Sequence, residues 1–392
     1  MATLDRRFFL KATGTALTTS LIPGSPLFAS EYTKKPQLPT DTPIIKLYDD
    51  GESFEPEEYI NELAKIYTAT KFEPDWYGVG GAVAALENKM ATITGKEKAI
   101  FMPSGTMANQ LALSILSGEN TKIYVQDTSH VYRDEADAAQ SVYNKRLMPL
   151  APGETFFTAQ QLQNSIESLD HQEVFKSGIG AVSLENPVRR SDGKSVPIEE
   201  IRKISAYCRD RNIKLHLDGA RIFIASAWTG VSVKDYASYF DTVYISLYKY
   251  FGATGGAVLC GNKDVIDKMP HLIKVHGGTM FGNWANAAMA LNRIEGFEIR
   301  MRNAIQRSSE IFGALNKISG IQVSPLPGGT NIYSLDLSEE IDGQKMGDKL
   351  NKEFQIRMRR LNDKNHSMLT VNETLLYQSA DYVVNAFKQS IQ

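Results

Sequence analysis

From residue 56 onward the chain alternates between two hydrophobic rhythms. Pro56 to Ala69 carries Tyr59, Ile60, Leu63, Ile66 and Tyr67 at helical spacing, which predicts an amphipathic helix with one buried face. Tyr77-Gly78-Val79-Gly80-Gly81 reads as a flexible turn, and a second helix is predicted over Ala82 to Gly95. Short apolar runs with β character follow, separated by amphipathic helices. The predicted strands are Lys98 to Met102, Lys122 to Val125, Ile179 to Glu185, Lys214 to Leu217, Asp241 to Ser246 and Ala257 to Leu259. Such alternation implies crossover connections and an α/β fold, with a mostly parallel sheet covered by helices on both faces. A long helix from about Asn286 to Ile318 is predicted to lead into a small C-terminal α+β unit.

Composition changes this picture little. The chain has 392 residues, 42% apolar and 22% charged, enough for a large core and a second, smaller domain. A net charge of −2 gives no reason to expect nucleic acid or an anionic membrane as partner. Two cysteines, Cys208 and Cys260, stand in apolar surroundings and read as buried free thiols.

The N-terminus differs in kind. Asp5-Arg6-Arg7-Phe8-Phe9-Leu10-Lys11 resembles the twin-arginine export motif. A weakly apolar stretch from Ala12 to Leu21 and a small-residue site at Phe28-Ala29-Ser30 follow in the order a leader requires. The expected organisation is a leader over residues 1–30 and an arm with a helix over 31–74. A large domain over 75–295 and a small domain over 296–392 complete it. The protein is expected in the periplasm or outside the cell. An amphipathic helix with a chance Arg-Arg pair is the competing reading.

Candidate chemistry gathers at strand ends, where open α/β sheets bind ligands. Met102-Pro103-Ser104-Gly105-Thr106 follows a strand and opens a helix, so free N–H groups and hydroxyls there suit a phosphate, although an ordinary N-cap looks the same. His130 follows the strand ending at Val125 and suits stacking on a flat ring or moving protons, though it also suits a surface loop. Asp218 suits a protonated pyridine nitrogen, and Arg221, three residues later, suits the substrate's carboxylate or an oxygen of the cofactor, although a buried aspartate–arginine ion pair would use the same two residue types. Lys249 follows an apolar strand and precedes a Gly-rich turn. There it is partly desolvated, loses its proton more readily and can attack a carbonyl. Together these residues point to pyridoxal 5'-phosphate (PLP), with the lysine bonded to the cofactor and the aspartate keeping the ring an electron sink.

The order Ser104, His130, Asp218, Lys249 resembles fold-type I PLP enzymes. The segments Pro103-Ser104-Gly105-Thr106-Met107-Ala108-Asn109, Ser129-His130-Val131-Tyr132, Leu215-His216-Leu217-Asp218-Gly219-Ala220-Arg221 and Ser246-Leu247-Tyr248-Lys249 are similar to those of the L-threonine aldolase and β-eliminating lyase family. The resemblance runs from about residue 45 to the C-terminus. It implies that Gly105 and Thr106, with Ser104 nearby, hold the phosphate. It implies also that His130 stacks on the ring, Asp218 binds the pyridine nitrogen, Lys249 bonds to the cofactor and Arg221 contacts the substrate carboxylate. A homodimer or homotetramer is implied as well.

Some positions depart from the family. Leu47-Tyr48-Asp49-Asp50 stands where the family has Leu-Arg-Ser-Asp, so Asp49 replaces a serine that helps hold the carboxylate. Ser367 to Asn372 contains no counterpart of a second carboxylate-binding arginine, and Asn186-Pro187-Val188 replaces Asn-Thr-His. Arg357, Arg359 or Arg360 is one replacement for the missing charge; a substrate presenting something other than a simple α-carboxylate is the alternative. The expected activity is cleavage of the Cα–Cβ bond of a β-hydroxy amino acid or related amine. β-Elimination, racemisation or transamination on the same scaffold, and a non-catalytic PLP-binding protein, are the alternatives.

Overall fold

A computed structural model describes residues 43–391 of the chain; the twin-arginine segment lies outside them. Seven strands form the central sheet: β2 (Lys98–Met102), β3 (Lys122–Gln126), β4 (Arg146–Leu150), β5 (Ile179–Glu185), β6 (Lys214–Asp218), β7 (Thr242–Ser246) and β8 (Ala257–Gly261). Their order is β2-β8-β7-β6-β5-β3-β4, and β8 alone among them runs against its neighbours. Every residue of β3, β7 and β8 is buried, which is why these segments read as continuous apolar runs without alternation. Each Val, Leu or Ile so covered contributes about 1.5–3 kcal/mol.

The register sets the site. Glu185 at the end of β5 pairs with Asp218 at the end of β6, and Asp218 pairs with Tyr244 on β7. Across β8, Ala257 faces both Ser246 of β7 and Met102 of β2. The ends of β2, β5, β6 and β7 therefore share one rim. Glu185 and Asp218, which end their strands, and Ser104 and Lys249, which follow theirs, are brought there by this pairing.

The smaller sheets lie in the rest of the chain. Strands β9 (Ile321–Pro325), β10 (Ile332–Leu337) and β12 (His366–Thr370) form an antiparallel sheet in the order β12-β10-β9. Strand β1 (Ile45–Leu47) pairs in parallel with β11 (Ile356–Met358), and Ile45 and Leu47 enter the apolar core built from residues 304–387.

The predicted helices over 56–69 and 82–95 are Pro56–Thr70 and Gly81–Thr94. The long helix expected over 286–318 is instead two, Trp284–Ile294 and Phe297–Leu315. Gly296 breaks it with φ +68°, and Arg300 satisfies the freed carbonyls of Arg293 and Glu295. Strand β4 was not expected from its sequence, Arg-Leu-Met-Pro-Leu, in which proline obscures the β pattern at a sheet edge. Cys208 and Cys260 are buried and free, as expected. No helix among the described residues is long and apolar enough to cross a membrane.

Candidate active site

A cavity of about 200 Å³ opens at the shared rim, lined by Ser104, Gly105, Thr106, His130, Glu185, Asp218, Tyr244, Lys249 and the turn Thr254–Gly256. One wall is the first turn of the helix Gly105–Ser117. Ser104 caps it in extended conformation, its Oγ accepting from Met107 N at 3.3 Å. The N-cap and phosphate readings of this motif are compatible, because the cap leaves the earlier N–H groups of the turn outside the helical ladder. Gly105 is sterically required: a Cβ there would lie 2.0 Å from Tyr244 Oη.

Asp218 is buried at the end of β6. Its Oδ1 accepts from Ala220 N at 3.2 Å and its Oδ2 from Asn109 Nδ2 at 3.0 Å. The same amide nitrogen donates to Glu135 Oε1 at 2.7 Å. Two carboxylates thus fix the orientation of Asn109, because only its nitrogen can donate. Its Oδ1 must then accept from His216 Nε2, 2.9 Å away, which leaves His216 Nδ1 to accept from Thr242 Oγ1 at 2.8 Å. Burial pushes the His216 imidazole down to about 4, so it stays neutral in this chain of bonds.

His130 opens a short helix beside the cavity. Its Nδ1 lies 2.9 Å from Glu135 Oε1, and its backbone N–H donates to Glu185 Oε2 at 2.7 Å. The Glu135 hydrogen bond raises the His130 pKa against the opposing effect of burial. Burial also raises Glu135 and carries Glu185 to about 7, with the Asp218 charge acting in the same direction. With Nδ1 donating to Glu135, Nε2 is the nitrogen of His130 left to exchange a proton.

Lys249 lies in the β7–β8 turn and is half-buried. Burial, with the Arg221 guanidinium beside it, lowers its amine to about 8, while Asp218, Asp50 and Glu185 oppose that shift. A neutral amine is therefore accessible near physiological pH, as its place after an apolar strand predicts.

Beside this cavity lies a second chamber of about 620 Å³. Arg221 and Asp49 both line it. Arg221 Nε is 2.6 Å from Asp50 Oδ2, with the side chains 16% and 15% exposed. Asn331 Nδ2 donates to Asp50 Oδ1 at 3.5 Å, and Asp49 accepts from Ser53 Oγ at 2.5 Å. The sequence reading singled out Asp49; the neighbouring Asp50 is the acid that engages Arg221. Arg189 and Arg190 share Asp134 on another wall. Asn109, Glu135, Glu185, Asp50 and Asn331 were not singled out. Asn109 does end the quoted Ser104–Asn109 motif, and Glu185 ends a predicted strand.

The donor set fits PLP: a helix N-terminus with hydroxyls for the phosphate, an imidazole on the wall, a buried carboxylate for the ring nitrogen and a primary amine of lowered pKa. The beta-eliminating lyase family profile matches residues 61–338. The chain is 35% identical over 254 residues to a low-specificity L-threonine aldolase of Candida albicans, covering 64% of this chain and 67% of that one. It is 33% identical over 199 residues to the alanine racemase TOXG of Cochliobolus carbonum, covering 50% of each. A solved Listeria monocytogenes structure, proposed to be an L-allo-threonine aldolase, superposes with a TM-score of 0.72 at 25% identity, covering 89% of this chain and 96% of that one. The matched stretches span about half to two thirds of the curated relatives' length. The chain belongs to the beta-eliminating lyase family and is a PLP-dependent lyase of fold type I.

Proposed function

We propose that this enzyme is a threonine aldolase-like lyase that cleaves the Cα–Cβ bond of a β-hydroxy amino acid and releases an aldehyde. The observation that carries the reading is one rim around one cavity, holding Lys249, Asp218, His130 and the helix N-terminus at Gly105. PLP, when bound, supplies the electron sink that takes up the pair released as the bond to Cα breaks. Lys249 is the residue whose amine, lowered to about 8, would hold the cofactor. Asp218, kept in position by Ala220 N and Asn109 Nδ2, would hold the ring nitrogen. His130 takes the β-hydroxyl proton at Nε2, because Nδ1 is held by Glu135. The relatives named L-threonine aldolases support this reading. Its test is incubation of the pure enzyme with L-threonine and L-allo-threonine. Acetaldehyde and glycine in equal amounts are expected, and turnover without aldehyde sinks the proposal.

A second reading, another PLP reaction such as racemisation, is favoured by the likeness to an alanine racemase. Chiral analysis of alanine after incubation separates the two.

Export by the twin-arginine route rests on Arg6-Arg7 and the apolar stretch behind them. Replacing both arginines with lysine should retain the protein in the cytoplasm, and unchanged export contradicts the route. The exposed aromatic residues Trp76, Tyr77 and Phe281 support association between copies, which light scattering tests through the mass in solution.

A further inference from the structure

Lys249 is the only lysine or arginine among the described residues that lines the cofactor cavity. Its amine is committed to the aldehyde end of PLP, which leaves hydroxyls and backbone N–H groups to hold the phosphate there. The hydroxyls are not equally free. Thr254 Oγ1 donates to Asn286 Oδ1 at 2.9 Å, so its proton is already used. Ser104 Oγ is engaged in capping, accepting from Met107 N at 3.3 Å. Tyr244 lines the cavity with a ring whose hydroxyl stands against Gly105: a Cβ on that glycine would fall 2.0 Å from Oη and 2.4 Å from Cζ.

The position of Tyr244 follows from strand register. It lies opposite Asp218 in the parallel pair of β6 and β7, and paired residues project from the same face of a sheet. Both reach the helix Gly105–Ser117, Asp218 through Asn109 Nδ2 at 3.0 Å and Tyr244 through Gly105. These two contacts lie one helical turn apart. Asp218 suits the ring nitrogen, and Gly105 opens the turn whose free N–H groups suit the phosphate. One strand pairing thus supplies a carboxylate for one end of the cofactor and a phenol for the other. Burial raises the Tyr244 pKa well above the usual phenol range, and the Asp218 charge acts in the same direction. The phenol therefore keeps its proton, as a donor to a phosphate oxygen must.

We propose that Tyr244 holds the phosphate of the cofactor, its hydroxyl donating a hydrogen bond to a phosphate oxygen beside the free N–H groups of Gly105 and Thr106. A charged acceptor makes such a bond stronger than one between neutral groups. The contact concerns the cofactor and not the substrate, so it holds for any reaction that bound PLP supports in this cavity.

The test titrates apoenzyme with PLP and with pyridoxal, which lacks the phosphate, following the absorbance of the bound cofactor. Tyr244→Phe keeps the ring and removes only the hydroxyl. It is expected to weaken PLP binding at least about tenfold, the loss of one hydrogen bond to a charged group. Pyridoxal binding should stay within about twofold of wild type, which also shows that the variant is folded. Unchanged PLP binding by Tyr244→Phe overturns the proposal. So does an equal loss of PLP and pyridoxal, with or without a fall in the Tm of the apoenzyme, because that loss marks a packing role. Neither titration involves an amino acid, so absence of acetaldehyde from threonine would sink the aldolase reading and leave this result standing.

Discussion

Glu135 Oε1 lies 2.9 Å from His130 Nδ1, and the Glu135 side chain is 2% exposed. A carboxylate buried this completely needs donors, and it has two, His130 and Asn109 Nδ2. The pair fixes which nitrogen of His130 faces the cavity and raises its pKa.

Glu135→Gln should therefore lower the His130 pKa. His130 acts as a base only when neutral, so the acid limb of kcat/KM should move to lower pH, with a lower plateau from the weaker base. A pH–rate profile checks this, and an acid limb that stays in place or moves up contradicts it. Glu135→Ala leaves Asn109 Nδ2 short of a partner and should cost about 1–3 kcal/mol of stability by denaturant unfolding.

Asp50 raises the Lys249 pKa while Arg221 lowers it. In Asp50→Asn the Arg221 charge loses its nearest counter-charge and Lys249 one of the acids that raise it, so the Lys249 amine should fall below its value of about 8. The rate at which apoenzyme captures PLP depends on the neutral amine. It should rise with pH and level off above about 8 in wild type, and level off at lower pH in the variant. Asp50→Ala removes one partner of a mostly buried ion pair and should cost about 3 kcal/mol.

Gly105→Ala places a methyl group against the Tyr244 hydroxyl, 2.0 Å from it unless something shifts. Overpacking of this kind costs about 1–3 kcal/mol. The variant should show a lower Tm and faster loss of PLP on dialysis. A variant that keeps wild-type Tm and cofactor shows that the helix start has room to move.

The residues legible in sequence are those whose position follows from local rules. Lys249, Asp218 and Ser104 each follow an apolar β run, and the ends of parallel strands face one rim. His130 was legible for the same reason. Asn109 and Asn331 were not, because their meaning lies in partners 109 and 281 residues away, Asp218 and Asp50. Glu135 sits in no regular element, and its place under His130 depends on the turn that follows. Asp49 and Asp50 are adjacent and chemically alike, so only the direction in which the chain leaves β1 shows which one meets Arg221. The break at Gly296 was missed because helical periodicity continues through Glu295 and Gly296, and one glycine in a helical pattern is tolerable locally.

The central claim is that PLP bonds to Lys249 at this rim. Purified holoenzyme reduced with borohydride and digested for peptide mapping tests it directly. The account predicts a pyridoxyl group on Lys249 and on no other lysine, lost in Lys249→Ala. A pyridoxyl group on another lysine, or none on protein supplied with PLP, contradicts it.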